Sequence, residues 1–132
     1  MTAYISHTTV DCTSAYELSE WWKKVLGYVD IAGDPNEPGD SECMIQAPDA
    51  SQNLLFIEVP DTKMVKNRIH LDLRPQEGSR DEELQRLRDL GATEVADRRD
   101  IHGPGTGWVV LADPEGNEFC ILRGEQERTA AC

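Results

Sequence analysis

Residues 68–91 read Arg-Ile-His-Leu-Asp-Leu-Arg-Pro-Gln-Glu-Gly-Ser-Arg-Asp-Glu-Glu-Leu-Gln-Arg-Leu-Arg-Asp-Leu-Gly, a strand followed by a capped helix. Ile69, Leu71 and Leu73 recur at the period of two that marks one face of a strand. Ser79-Arg80-Asp81-Glu82 is a capping box: the Ser hydroxyl accepts from the third helical N–H and Glu82 reaches back to the cap. Leu84, Leu87 and Leu90 form the apolar stripe, and Gly91 stops the helix.

Working outward, the same grammar occurs near the start. Ile5-Ser6-His7-Thr8-Thr9-Val10 reads as a strand, Ser14-Ala15-Tyr16-Glu17 as a second capping box, and Leu18, Trp21, Trp22 and Val25 as a stripe that Gly27 ends. Ser14 to Ser79 is 65 residues, Gly27 to Gly91 is 64, and His7 to His70 is 63. Two strand-like runs follow each helix. Met44-Ile45-Gln46-Ala47 matches Trp108-Val109-Val110-Leu111, and Leu55-Phe56-Ile57-Glu58-Val59 matches Glu118-Phe119-Cys120-Ile121-Leu122. Asp113-Pro114-Glu115-Gly116 has the residues of a type I turn between the last two.

The expected fold is therefore α+β: two βαβββ modules, about 3–60 and 66–123, closing around a pseudo-twofold axis into a paired half-barrel with a central cleft. They form one domain over 1–126, joined by Pro60-Asp61-Thr62-Lys63, with 127–132 as a flexible tail. Trp21 and Trp22 are adjacent and lie about 100° apart on a helix, so one is expected at the module rim or in a homodimer contact.

Composition narrows the class. The chain has 132 residues, with 25 acidic against 13 basic side chains and a net charge of −12. That is the wrong sign for nucleic acid or an anionic membrane surface, so neither is an expected partner. No apolar run approaches the roughly 20 residues that span a bilayer, and no basic segment precedes an apolar one at the start. A cytoplasmic protein with reduced thiols is expected, because Cys12, Cys43, Cys120 and Cys132 include no Cys-x-x-Cys pair.

Alternation then sorts side chains by face. Ile69, Leu71 and Leu73 are expected to pack on the helices, as are Phe119 and Ile121. Arg68, His70, Asp72 and Arg74 share the opposite face, with Glu118, Cys120 and Leu122 beside them. The plain reading of such a row is the wet side of a half-buried sheet. The repeat raises a second reading, in which His7 and His70 meet in one cleft, charged around Arg68, His70, Asp72 and Glu118 and apolar around Ile57 and Val59. Trp108 either caps that pocket or sits in the core. The Gly103-Pro104-Gly105-Thr106-Gly107 loop leads into a strand rather than a helix, so it is a lip or lid and not a phosphate loop.

The paired modules, the start Ile5-Ser6-His7-Thr8, the helix end Val25-Leu26-Gly27-Tyr28, Arg68-Ile69-His70-Leu71-Asp72-Leu73 and the run from Trp108 to Phe119 resemble the vicinal oxygen chelate superfamily. This is the glyoxalase, bleomycin-resistance and extradiol-dioxygenase group, and the similarity is greatest to its small glyoxalase-like domain proteins. The resemblance implies a single divalent metal held by the first and last strand of each module. His7 and His70 match the first-strand positions. The last-strand Glu is replaced by Cys120 in the second module and Ile57 in the first, with Glu118 and Glu58 nearby as third ligand or general base. It implies a metal-assisted lyase or isomerase acting on a small carbonyl-containing metabolite, with Arg68 or Arg74 neutralising a carboxylate or enolate and Asp72, Trp108 and Ile57 touching the substrate. The alternative is a metal-free drug- or antibiotic-binding protein of the bleomycin-resistance type, with Trp108 stacking on the ligand.

Overall fold

The computed structural model describes residues 1–130, so Cys132 lies outside the described residues. The chain divides into two compact units, Met1–Lys63 and a second that begins at Met64. The first runs β1 (Thr8–Cys12), α1 (Ala15–Leu26), β2 (Val29–Asp30), β3 (Glu42–Gln46) and β4 (Asn53–Glu58). The second repeats the order: β5 (Leu71–Leu73), α2 (Arg80–Asp89), β6 (Thr93–Asp97), β7 (Val109–Ala112) and β8 (Glu118–Ile121). A short α3 (Glu125–Ala130) follows, where a flexible tail was expected from 127 onward.

Each unit is an open four-stranded mixed sheet of identical topology, β1-β4-β3-β2 and β5-β8-β7-β6. The first strand pairs parallel with the last, and the other neighbours are antiparallel. The α+β fold of two βαβββ half-barrels is thus present. The strand after each helix was not legible: β2 has two residues, and β6 carries a bulge between Glu94 and Ala96 that breaks its alternation. No helix among the described residues is long and apolar enough to cross a membrane.

Burial follows the face assignment on the later strands. In the second unit Leu84 and Leu87 of α2 and Val109, Leu111, Phe119 and Ile121 of the sheet are all at most 1% exposed. Burying such a side chain contributes about 1.5–3 kcal/mol. The first unit buries Leu18, Ile45 and Phe56 in the same way. Trp21 and Trp22 are both buried there, with rings 5.2 Å apart in an edge arrangement, so neither sits at a rim. The first strands depart from expectation. Ile5 and Ile69 are 87% and 84% exposed, because β1 begins only at Thr8 and β5 only at Leu71.

The two helix starts also differ. The Ser79 box forms as read: Glu82 N donates to Ser79 Oγ at 3.1 Å and Ser79 N to Glu82 Oε1 at 3.0 Å. Glu127 Oε2 adds an acceptor, taking Arg80 N at 2.8 Å. At α1 the Ser14 side chain makes no cap hydrogen bond, and its hydroxyl donates to Glu17 instead. Glu58 Oε2 lies 3.4 Å from Ala15 N at this helix end. Both helices therefore receive a carboxylate from a distant part of their own unit, where the exposed N–H groups and the helix dipole favour one.

Ser79→Ala is expected to cost about 1 kcal/mol, and Ser14→Ala distinctly less, by urea unfolding; equal losses would contradict the two geometries. A second expectation concerns Asp97. Hydrogen bonds from the Arg99 guanidinium and backbone N–H hold its carboxyl down at about 2. A depressed folded value means stabilisation that is present above the ordinary 3.8 and is lost as pH falls through about 2. Carboxyl NMR should give an Asp97 midpoint near 2; a midpoint near the ordinary value would contradict the pairing.

Candidate functional site

The sheet of the second unit presents two faces, and its register decides what each carries. Leu71 pairs with Phe119 and Phe119 with Leu111, giving the row on the α2 side, in which Phe119 and Leu111 are buried and Leu71 half-buried. One residue along, Asp72 pairs with Cys120, Cys120 with Val110 and Val110 with Ala96. Successive side chains alternate, so this second row points away from the helix. It forms the floor of a cavity of about 710 Å³. Glu118 and Leu122 extend the floor along β8, Trp108 joins it from the start of β7, and the β6 bulge brings in Val95 beside Ala96.

His70, Asp72 and Cys120 converge in this cavity. Their donor atoms all lie within 4.8 Å of one another. His70 Nδ1 is 3.2 Å from Asp72 Oδ1 and 3.8 Å from Cys120 Sγ. The three environments differ. Cys120 is 4% exposed, whereas the His70 and Asp72 side chains are 41% and 52% exposed. Burial first, and then the Asp72 carboxylate, pushes the Cys120 thiol up to about 11. Glu118 is not one of these three: its carboxylate is paired with Lys66, whose ammonium also lines the cavity.

The remaining candidates are not among the residues that line it. Arg68 is exposed and does not line the cavity. Arg74 Nη1 donates to Arg123 O at 2.6 Å, and its Nε lies 3.6 Å from Glu125. His7, Ile57 and Glu58 belong to the first unit, where His7 is exposed beside Ser6 Oγ, Ile57 is half-buried on β4 and Glu58 ends β4 with its carboxylate at the start of α1. The 63-residue match of His7 to His70 is off by two in the ladders. Val10 pairs with Phe56 as Leu71 pairs with Phe119, so Thr9, not His7, takes the place of His70. By the same register, Asp11 and Ile57 take the places of Asp72 and Cys120.

Lys66, Val95, Ala96, Arg98 and Val110 line the cavity without a signal in the sequence pattern, and Asp72, expected to touch substrate, is a neighbour of His70 and Cys120. Lys66 follows the linker, outside any periodic run. Arg98 and its neighbours depend on β6, whose bulge hid it. The backbone at Arg98 is held closely: its N–H donates to Trp108 O at 2.8 Å, and a Cβ on Gly107 would meet Arg98 O at 1.9 Å. The glycine loop is also tied down, with Arg80 Nη1 donating to Gly107 O at 3.1 Å and Gly105 N to Asp100 at 2.7 Å.

Two open βαβββ sheets, the last strand of each pairing parallel with the first, define a protein of the vicinal oxygen chelate superfamily. A family model described as a glyoxalase-like domain matches residues 7–122, and the chain belongs to that family. Solved structures with the same fold include a variant of the fosfomycin resistance protein FosX from Listeria monocytogenes, complexed with Mn(II) and 1S,2S-dihydroxypropylphosphonic acid. It is 18% identical over 98% of this chain and 99% of that one, with TM-score 0.68. FosX from Mesorhizobium loti is 15% identical over 98% and 99%, with TM-score 0.66. A possible glyoxalase from Bacillus cereus is 14% identical over 92% and 99%, with TM-score 0.63. No curated protein matches the chain.

Gly107 has φ +85 and no room for a methyl group against Arg98 O. Gly107→Ala is expected to cost on the order of 2–4 kcal/mol by urea unfolding; a loss under about 0.5 kcal/mol would contradict the close approach.

Proposed function

We propose that the protein is a metal-assisted lyase or isomerase acting on a small carbonyl-containing metabolite, with its chemistry in the cavity of the second unit. The observation that carries this reading is the convergence of His70, Asp72 and Cys120 on the cavity floor. An imidazole, a carboxylate and a thiol are each able to hold a divalent ion. Their spacing suits one: a tetrahedral site with bonds near 2.0–2.3 Å sets its donors about 3.3–3.6 Å apart, against 3.2 and 3.8 Å here. A divalent ion bound there supplies Lewis acidity towards a carbonyl oxygen.

The chain's own groups do the rest. Trp108, Val95, Val110 and Leu122 give an apolar wall that orients a small carbon skeleton and displaces water from it. Glu118 accepts the proton removed next to the carbonyl, with Lys66 paired to it on the cavity rim. Arg98 offers a guanidinium to a substrate carboxylate. The remainder of the reading is a cytoplasmic homodimer.

The second reading, a non-catalytic drug-binding protein, draws on the same apolar wall and on the fold shared with FosX. In it Trp108 stacks on the ligand and no proton is transferred.

Proton exchange separates the two. The metal-loaded protein, incubated in D2O with a panel of small 2-hydroxy and 2-oxo carbonyl compounds, is expected to wash out the proton next to the carbonyl in at least one. Glu118→Gln should slow that exchange by about 10²–10⁴-fold. No exchange with any compound, or equal exchange by the variant, would overturn the catalytic reading.

A further inference from the structure

The solved relative quoted with a metal holds Mn(II), a hard ion that favours oxygen and nitrogen donors. The donor set here is different in kind. Cys120 places a sulfur at the inner end of the cluster, 4% exposed and directly across the β5–β8 ladder from Asp72. The nearest further carboxylate on the same strand, Glu118, is engaged by Lys66. The first unit's register equivalent of Cys120 is Ile57, which has no donor atom. At the Cys120 position neither sheet therefore offers an oxygen donor, and the carboxylate of the cluster is that of Asp72 alone.

From this we infer that the second unit holds a zinc-type site of its own, with His70 Nδ1, Asp72 Oδ1 and Cys120 Sγ as three ligands and the fourth position facing the cavity. The inference rests on the metal reading above and adds the identity of the ion and the ligand that selects it. Three features support it. First, Asp72 and Cys120 face each other across one parallel ladder and His70 lies one residue before β5, so all three ligands belong to the second unit. Second, the N···O and N···S separations are within a few tenths of an ångström of a tetrahedral Zn(II) site with one thiolate. Third, the exposure is graded: the sulfur is buried in the cavity floor, while the imidazole and carboxylate open towards solvent. That leaves the side away from the sulfur for a water or substrate oxygen, which is the three-ligand arrangement of catalytic rather than structural zinc. Thiolate ligation favours zinc over manganese and magnesium by chemistry that geometry alone does not supply.

The test is a titration of the full-length protein, stripped of metal, with Co(II), Zn(II) and Mn(II). Co(II) is expected to bind one per chain and give a near-ultraviolet thiolate-to-cobalt charge-transfer band, which Zn(II) abolishes stoichiometrically. Mn(II), followed by its free-ion electron paramagnetic resonance signal, should bind at least about 100-fold more weakly than Zn(II). Cys120→Ser should remove the band and weaken Zn(II) about 100-fold, while a circular dichroism melt shows the variant still folded. If Cys120→Ser does not fold, Asp72→Asn serves: it keeps the sulfur and the band but should weaken Zn(II) by about 10-fold or more. A metal bound tightly with no thiolate band, or a band that persists in Cys120→Ser, overturns the thiolate assignment and leaves the metal reading standing. Failure of all three ions to bind overturns both.

Discussion

The pairing of β5 with β8 is the constraint on which the second unit depends. Because the ladder is parallel and in register from Leu71–Phe119 to Leu73–Ile121, one row of the sheet goes to the core and the next to the cavity. Phe119 and Ile121 anchor that choice, since each is fully buried on the α2 side. A slip of one residue would send both to the cavity and bring Cys120 into the core. The apolar burial that stabilises the sheet thus also brings Asp72 to Cys120, and His70, one step outside β5, completes the cluster. The packing of the sheet and the arrangement of the cluster are set by the same register.

Much of this was legible in the sequence. Two helices with serine starts and glycine stops, each followed by alternating strands of which the last contains a phenylalanine, are enough to read two βαβββ modules. The helices were clear because Leu84 and Leu87, or Leu18 and Trp22, repeat at helical spacing around a glycine stop. The later strands were clear because Phe119 and Ile121 alternate with Glu118 and Cys120. What was not legible has physical causes. The Ser14 box failed because hydroxyl donors choose among several acceptors, and Ser14 donates to Glu17 while Glu58 comes to the helix end from 43 residues away. The β6 bulge cancelled the period of two, and with it the reason to look at Arg98.

The histidine offset is more instructive. An offset of 63 fits both His7–His70 and Phe56–Phe119, so the two first strands seemed aligned. Strand pairing, however, is set by which side chains the sheet buries, and β1 joins β4 two residues out of step with that offset. The offset therefore could not tell which residue of the first strand stands where His70 does. It also concealed that Asp72, a substrate contact in the sequence reading, is the closest polar neighbour of His70.

The chemistry of the cluster is governed by Cys120. A buried thiol held up at about 11 carries little charge in the absence of a cation, and the adjacent Asp72 carboxylate is part of the reason. A divalent ion held by the three would reverse both effects, since it would supply the charge that makes thiolate and carboxylate compatible neighbours. The most direct measurement is zinc K-edge X-ray absorption on the loaded protein. The account predicts one sulfur scatterer at about 2.3 Å together with nitrogen or oxygen scatterers near 2.0 Å. A first shell of nitrogen and oxygen alone would contradict it.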